Sequence, residues 1–266
     1  PDAVSNSAFK YIYGNEKYSN EFYNFLVNVF HLYPEDKLHS LIQELSLQLP
    51  TDKKIYQSLQ LRMPGIKPFL SELSFALPAL KKQKSEMQVQ TLELLDGNNA
   101  FEGYLEIGSS GRYVDALEEK LDINGERFFI SEKAPKYSIE DIMDRGQIRK
   151  AGVNLSLNNY KTDILNSINT NSIELVTVYI GFHHCPVHLR SEFISSIRDI
   201  MAPGGRLILS DHDARDDKML NMVALAHDVF NMVTNETWKY NSDELRNLYY
   251  LKTLNKIMIE NGCKSE

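Results

Sequence analysis

The sequence predicts an α/β fold: a doubly wound, mostly parallel sheet preceded by a helical N-terminal cap. Three observations carry this. From about residue 97 onward, short apolar runs rich in β-branched residues alternate with amphipathic helical segments. The run Tyr104-Leu105-Glu106-Ile107 passes through Gly108-Ser109-Ser110-Gly111 into a helical pattern at Val114, Leu117 and Leu121, the layout of a strand, a tight turn and a helix N-terminus. Before residue 97, apolar residues recur almost only at helical spacing. The expected division is therefore a helical cap region over 1–96 and a nucleotide-binding domain over 97–266.

Residues 1–18 show no clear period and are left unassigned. Phe22, Phe25, Leu26, Val29 and Phe30 predict a helix that stops before Pro34, and Leu38, Leu41, Ile42, Leu45 and Leu49 predict a second that ends at Pro50. Thr51-Asp52 suits the cap of a third helix through Ile55, Tyr56 and Leu59, with Met63-Pro64-Gly65 expected to break it. A further helical region runs through Phe69, Leu73 and Leu77. The basic group Lys81-Lys82-Gln83-Lys84 reads as a solvated helix end, and Ser85-x-x-Gln88 has the form of a capping box opening a helix to Leu95.

The second region predicts strands at Gly103–Ile107, Arg127–Ser131, Val153–Leu155, Ile173–Ile180 and Arg206–Ser210. Helices are expected at Arg112–Lys120, Ser138–Asp144 and Val187–Met201, then one through Met219 to Phe230 and one over Ser242–Glu260. In such a sheet, ligands bind at the carboxyl ends of the strands. Gly108 and Gly111 let backbone approach a ligand closely, and Glu132, ending the second strand, has the spacing of a carboxylate that accepts from ribose hydroxyls.

Composition narrows the function classes. The chain has 266 residues, 42% of them hydrophobic, and a net charge of −7, which argues against sequence-independent nucleic-acid binding. No apolar run is long enough to span a bilayer, and the N-terminus has no signal-peptide core. Two cysteines, Cys185 and Cys263, make no disulfide framework, so a reducing, cytoplasmic location is expected.

These residues, taken in order, resemble the class I S-adenosylmethionine-dependent methyltransferases, a Rossmann-like family, over roughly residues 97–260. Glu106-Ile107-Gly108-Ser109-Ser110-Gly111 is similar to the family's first motif, Ile130-Ser131-Glu132 to the second and Thr162-Asp163-Ile164 to the third. Ser172 to Val176 leading to Gly181-Phe182-His183-His184 is similar to the fourth, and Met201-Ala202-Pro203-Gly204-Gly205-Arg206 to the turn and strand that follow. The first loop departs from the family's Gly-x-Gly-x-Gly, with Ser110 where the central glycine stands.

The resemblance implies S-adenosyl-L-methionine as cofactor and methyl transfer to an unidentified small-molecule or protein acceptor. It implies that Gly108, Ser109, Ser110 and Gly111 admit the amino acid end of the cofactor and that Glu106 orders water or the ammonium group. Glu132 would hold the ribose, Asp163 the adenine amine and Ile164 the ring face, with Tyr179 as a positioner. Candidate bases at the strand ends are His183, His184, Asp211, His212 and Asp213, with His184 and His212 the first choices. His183, His184, Cys185 and His188 are close in sequence, but their spacing fits no strong zinc pattern and no metal is expected. The alternative is a methyltransferase-like scaffold, weakly active or inactive, that binds a partner protein. A nicotinamide-dependent oxidoreductase fits less well, because the glycine loop is too short for its phosphate-binding turn. The family fold ends in two further strands paired as a hairpin, which past Gly262-Cys263 are either missing or follow in residues beyond 266. Something else, with a second copy of the chain as candidate, is therefore expected to cover the fifth-strand edge.

Overall fold

The computed structural model describes residues 7–30, 35–66, 77–132, 152–161, 166–179 and 181–265. By its contacts the chain divides into two units, residues 1–79 with 213–244, and residues 80–212 with 245–266.

The first unit is helical. Its helices are α1 (Ala8–Tyr13), α2 (Glu16–Phe25) with a π-helical turn at Leu26–Phe30, α3 (Glu35–Gln48) and α4 (Asp52–Ile66). Helix α1 lies where the sequence shows no period, while α2 with its π-helical turn covers the helix expected through Phe22 to Phe30 but starts earlier, at Glu16, and each is fixed by its cap. Ser7 accepts from Lys10 N at 3.1 Å and Asn15 from Tyr18 N at 3.2 Å. Helix α4 runs past Pro64, against expectation, but only to Ile66, so the proline falls in its last turn and the helix ends within two residues of it. Phe9, Ile12, Phe22, Ile42, Ile55, Tyr56 and Leu59 form a core shared with Met222, Leu225 and Val229 from later in the chain. An open groove of about 470 Å³ between α3 and α4, lined by residues such as Asp36, Ser40 and Ile66, carries the exposed Arg62–Glu44 pair.

Helix α5 (Leu77–Leu94), placed with the cap by the sequence reading, gives nearly all its length to the second unit. It passes unbroken through Ser85, so the expected capping box does not form. Gln88 instead donates to the Ala116 carbonyl, and Lys84, expected in water, is 7% exposed and bonded to both Asp115 oxygens at 2.8 Å. Tertiary partners outcompete the local motif in both cases.

The second unit holds β1 (Ala100–Ile107), α6 (Val114–Glu118), β2 (Asp122–Ser131), β3 (Val153–Ser156), β4 (Ile173–Tyr179), α7 (Arg190–Ile200) and β5 (Met201–Ser210). The strands are all parallel, in the order β3-β2-β1-β4-β5. Alternation along each strand sorts the two faces. Leu105, Ile107, Phe128, Ile130, Val176 and Val178 pack on Phe193, Ile194 and Ile197 of α7, while Tyr104, Phe129, Leu175 and Tyr179 pack with Val114 and Leu117 of α6. The Pro203-Gly204-Gly205 segment bulges out of β5, so that Ile173 faces Met201 but Leu175 faces Arg206. The residues expected to form the 138–144 helix lie outside the described residues.

After β5 the chain forms α8 (Asp217–Val233) and α9 (Trp238–Asp243) in the first unit and α10 (Leu251–Glu260) in the second. The single helix expected over 242–260 is thus two helices. Asn247 explains the break: its backbone N–H donates to the His183 carbonyl at 2.8 Å, and its side chain to the His183 and Cys185 carbonyls. No helix among the described residues is long and apolar enough to cross a membrane.

Gly103 marks the point where the β1–β2 register slips by one residue. It holds φ of 79°, and a Cβ there would sit 2.3 Å from the Ser172 carbonyl oxygen. Gly103→Ala is expected to destabilise the sheet unit by roughly 3 kcal/mol, through a left-handed alanine and a backbone clash, as read by urea unfolding.

Candidate active site

In this strand order the chain runs outward from β1 to β3 and then crosses to β4 on the other side of β1, so the order reverses between β1 and β4, whose carboxyl ends are where an open parallel sheet places its ligand crevice. The Gly108 N–H donates to the Ile130 carbonyl at 2.8 Å, extending the β1–β2 ladder one step and tying the glycine loop to the tip of β2. Because Ile107 is paired with Ile130, Glu132 stands at that same end, two residues on, and is exposed. Gly108 holds φ of 95° and has no atom within 4 Å of where a Cβ would lie, leaving room over the loop. Gly111, at φ of 91°, has no such room, since a Cβ would meet the Phe129 ring at 3.2 Å. One glycine is open to a ligand and the other is required by packing.

Glu106 organises the loop from below and is 1% exposed. Its Oε1 accepts from the Ser109 hydroxyl, from Arg112 N at 2.9 Å and from Tyr113 N at 3.3 Å. Its Oε2 accepts from Tyr104 OH at 2.9 Å. Burial raises the carboxyl above the ordinary carboxylate range, and the hydrogen bonds from Ser109, Tyr104 and the two backbone amides offset only part of that rise. These donors occupy the acceptor positions of an ionised carboxylate, so Glu106 shapes the loop rather than facing the crevice.

The tips of β4 and β5 carry the titratable cluster. Asp211 accepts from His183 Nδ1 at 2.7 Å, from His183 N at 3.0 Å and from His212 N at 2.7 Å, binding the two tips together. His183 is fully buried, its ring 4.1 Å from that of His184 and 5.5 Å from that of His212. His184 is partly exposed, and its Nδ1 lies 2.8 Å from the Leu245 carbonyl. A carbonyl or an ionised carboxylate only accepts, so both Nδ1 atoms carry hydrogen and the neutral rings hold their lone pairs on Nε2. Burial, then His183, lowers the pKa of His212, while Asp211 raises it. The Cys185 thiol is pushed up to about 12 by burial and is inert as a nucleophile.

The sequence-predicted residues Glu106, Gly108, Ser109, Ser110, Gly111 and Glu132 thus gather at the tips of β1 and β2, and His184 and His212 at those of β4 and β5. Tyr179 is buried, with its hydroxyl 2.6 Å from that of Thr91. Asp163 and Ile164 lie outside the described residues. Asp213 belongs to the helical unit, where its carboxylate is 3.9 Å from Arg215. Sequence reasoning did not single out Tyr104, Thr177 or Asn247. A signal for the first two was present: Tyr-x-Glu and Thr-x-Tyr place polar groups on one face of strands that are otherwise apolar.

No family model matches the sequence, and no curated protein matches it. Solved structures do. The carbon methyltransferase CurJ is 16% identical, with 94% of this chain and 66% of that one aligned at a TM-score of 0.49. A SAM-dependent methyltransferase from Archaeoglobus fulgidus is 12% identical over 74% of each chain, with a TM-score of 0.46. Phosphoethanolamine N-methyltransferase 2 of Haemonchus contortus, solved in complex with S-adenosyl-L-methionine, is 12% identical over 73% of this chain and 43% of that one, with a TM-score of 0.43. This chain therefore spans 66% of the CurJ structure and less than half of the Haemonchus one. On its own strand order, all parallel with the glycine loop after β1, the sheet unit has a Rossmann-like, doubly wound α/β fold.

The His212 ring is expected to titrate below 6.5, and Asp211→Asn to lower it further by removing the charge that favours the imidazolium. Nuclear magnetic resonance of the histidine ring carbons checks both directions.

Proposed function

We propose that the chain transfers a methyl group from S-adenosylmethionine to an unidentified acceptor atom that gives up a proton. One juxtaposition supports this reading above all. The open Gly108 loop and the exposed Glu132 carboxylate stand at the tips of adjacent strands, and the histidine cluster stands at the tips of β4 and β5. The residues fit the cofactor, because the space over Gly108 is free for a ligand and Glu132 is an unburied acceptor beside it.

When bound, S-adenosylmethionine supplies a methyl group on a sulfonium, a leaving group that needs no activation by the protein. The chain's own contribution is placement, which by alignment alone supplies much of a transfer rate. Ser109 and Ser110 would line the amino acid end over Gly108, and Glu132 would accept from the ribose hydroxyls. Asp163 and Ile164 keep the adenine-contacting roles implied by the family resemblance. Glu106 would act through the loop it holds, and Tyr179 from below the crevice. Proton removal falls to the imidazoles. His184 is fixed with Nδ1 as donor and Nε2 as the basic atom, and burial keeps His212 largely neutral near pH 7. His183, oriented by Asp211, is the third oriented ring of the group.

Titration calorimetry with S-adenosylmethionine and S-adenosylhomocysteine is expected to show binding of both, weakened at least about tenfold in Glu132→Ala. Absence of binding at millimolar ligand would remove the proposal. With a methyl acceptor found by radiolabel transfer to small molecules and proteins, His184→Ala and His212→Ala are expected to lower turnover about 100-fold at unchanged donor affinity. Donor binding without transfer to any acceptor in the panel points instead to a scaffold that binds a partner.

A further inference from the structure

One buried hydroxyl lies directly beneath the donor loop and takes no part in the reaction proposed above. We infer that Tyr104 is a positioning residue for the methyl donor: its hydroxyl, held by Thr177, fixes the Glu106 carboxylate that shapes the Gly108–Gly111 loop. The inference rests on the methyltransferase reading and adds to it the residues that set donor affinity from inside the sheet.

Strand register places the three side chains together. Tyr104 and Glu106 are two apart on β1 and share a face, and Glu106 is paired with Thr177 on β4. Tyr104 and Thr177 are fully buried. Tyr104 OH lies 2.9 Å from Glu106 Oε2 and 2.8 Å from Thr177 Oγ1. A phenol has one proton to give, and the ionised carboxylate can only accept, so Tyr104 donates to Glu106 and accepts from Thr177.

The division of labour between the two carboxylate oxygens makes Tyr104 decisive. Oε1 takes the Ser109 hydroxyl and the Arg112 and Tyr113 amides from the loop, whereas Oε2 takes Tyr104 at 2.9 Å and only a long contact of 3.4 Å from Tyr113 N. Without the phenol, Oε2 keeps no short bond from these groups, and the carboxylate is free to turn about its last side-chain torsion. The loop amides then lose their alignment together. Tyr104 lies two residues inside the strand and acts only through Glu106, so it sets how the donor is held and not how the methyl group moves.

The test uses the intact chain with Tyr104→Phe, Thr177→Val and Thr177→Ser. Hydrogen exchange without ligand is expected to show the Arg112 and Tyr113 amides of Tyr104→Phe exchanging about tenfold faster, with the Val176 amide in β4 unchanged. Calorimetry is expected to show S-adenosylhomocysteine binding about tenfold weaker, the scale set by one hydrogen bond to a charged group. Thr177→Val should move both readouts in the same direction, and Thr177→Ser, which keeps the hydroxyl, should restore them. Equal binding by wild type and Tyr104→Phe overturns the inference alone, as does exchange that rises uniformly across the sheet. Failure of the wild type to bind S-adenosylhomocysteine overturns the proposed function and this inference with it.

Discussion

The Glu106 carboxylate lies under the glycine loop almost out of reach of water, and an ionised group in that position is tolerable only if donors surround it. The structure supplies them from two directions, the loop above and the sheet below. That requirement fixes much else. The loop must curl tightly enough for Ser109 and two successive amides to reach one carboxylate. Gly111 must lack a side chain so that the loop can lie on Phe129, and β1 must run parallel beside β4 so that Thr177 can steady Tyr104. Ser110 in place of a family glycine is accommodated because the left-handed positions fall on Gly108 and Gly111 instead.

A second buried acid, Asp211, plays a comparable part at the other side of the crevice. Three donors converge on it, two of them backbone amides from different strand tips, so it joins β4 to β5 and orients His183 in the same contact. Asn247 then draws the segment before α10 onto the same turn through the His183 and Cys185 carbonyls. The histidines are thereby held on a turn whose polar backbone groups are satisfied from several sides, an arrangement suited to keeping a ring nitrogen at a set position.

The sheet was legible in the sequence because each strand's apolar residues form an uninterrupted or alternating run and each helix buries one stripe. The β1 loop and Glu132 were legible for the same reason: a turn between a strand and a helix must fall at a sheet edge, and parallel pairing brings the ends of neighbouring strands together. Segments whose form depends on distant partners were not legible. Lys84 looked like a solvated cation until Asp115, thirty-one residues away, was brought against it. Ser85-x-x-Gln88 looked like a helix start until the Ala116 carbonyl claimed the glutamine. Residues 244–250 fit a helical pattern, yet hydrogen bonds to the His183 turn hold them out of it.

Sequence by itself therefore determined the fold class, the order of the strands along the chain, and which residues stand at strand ends, because those follow from local periodicity and from the glycines and prolines that interrupt it. Tertiary structure alone decided which strands are neighbours, and hence that Tyr104, Glu106 and Thr177 share one hydrogen-bonded cluster while Asp211 closes on His183. It also decided which charged groups leave water. The physical reason is that burying a polar group is permitted only by partners that can come from anywhere in the chain, and their positions exist only once the sheet has formed.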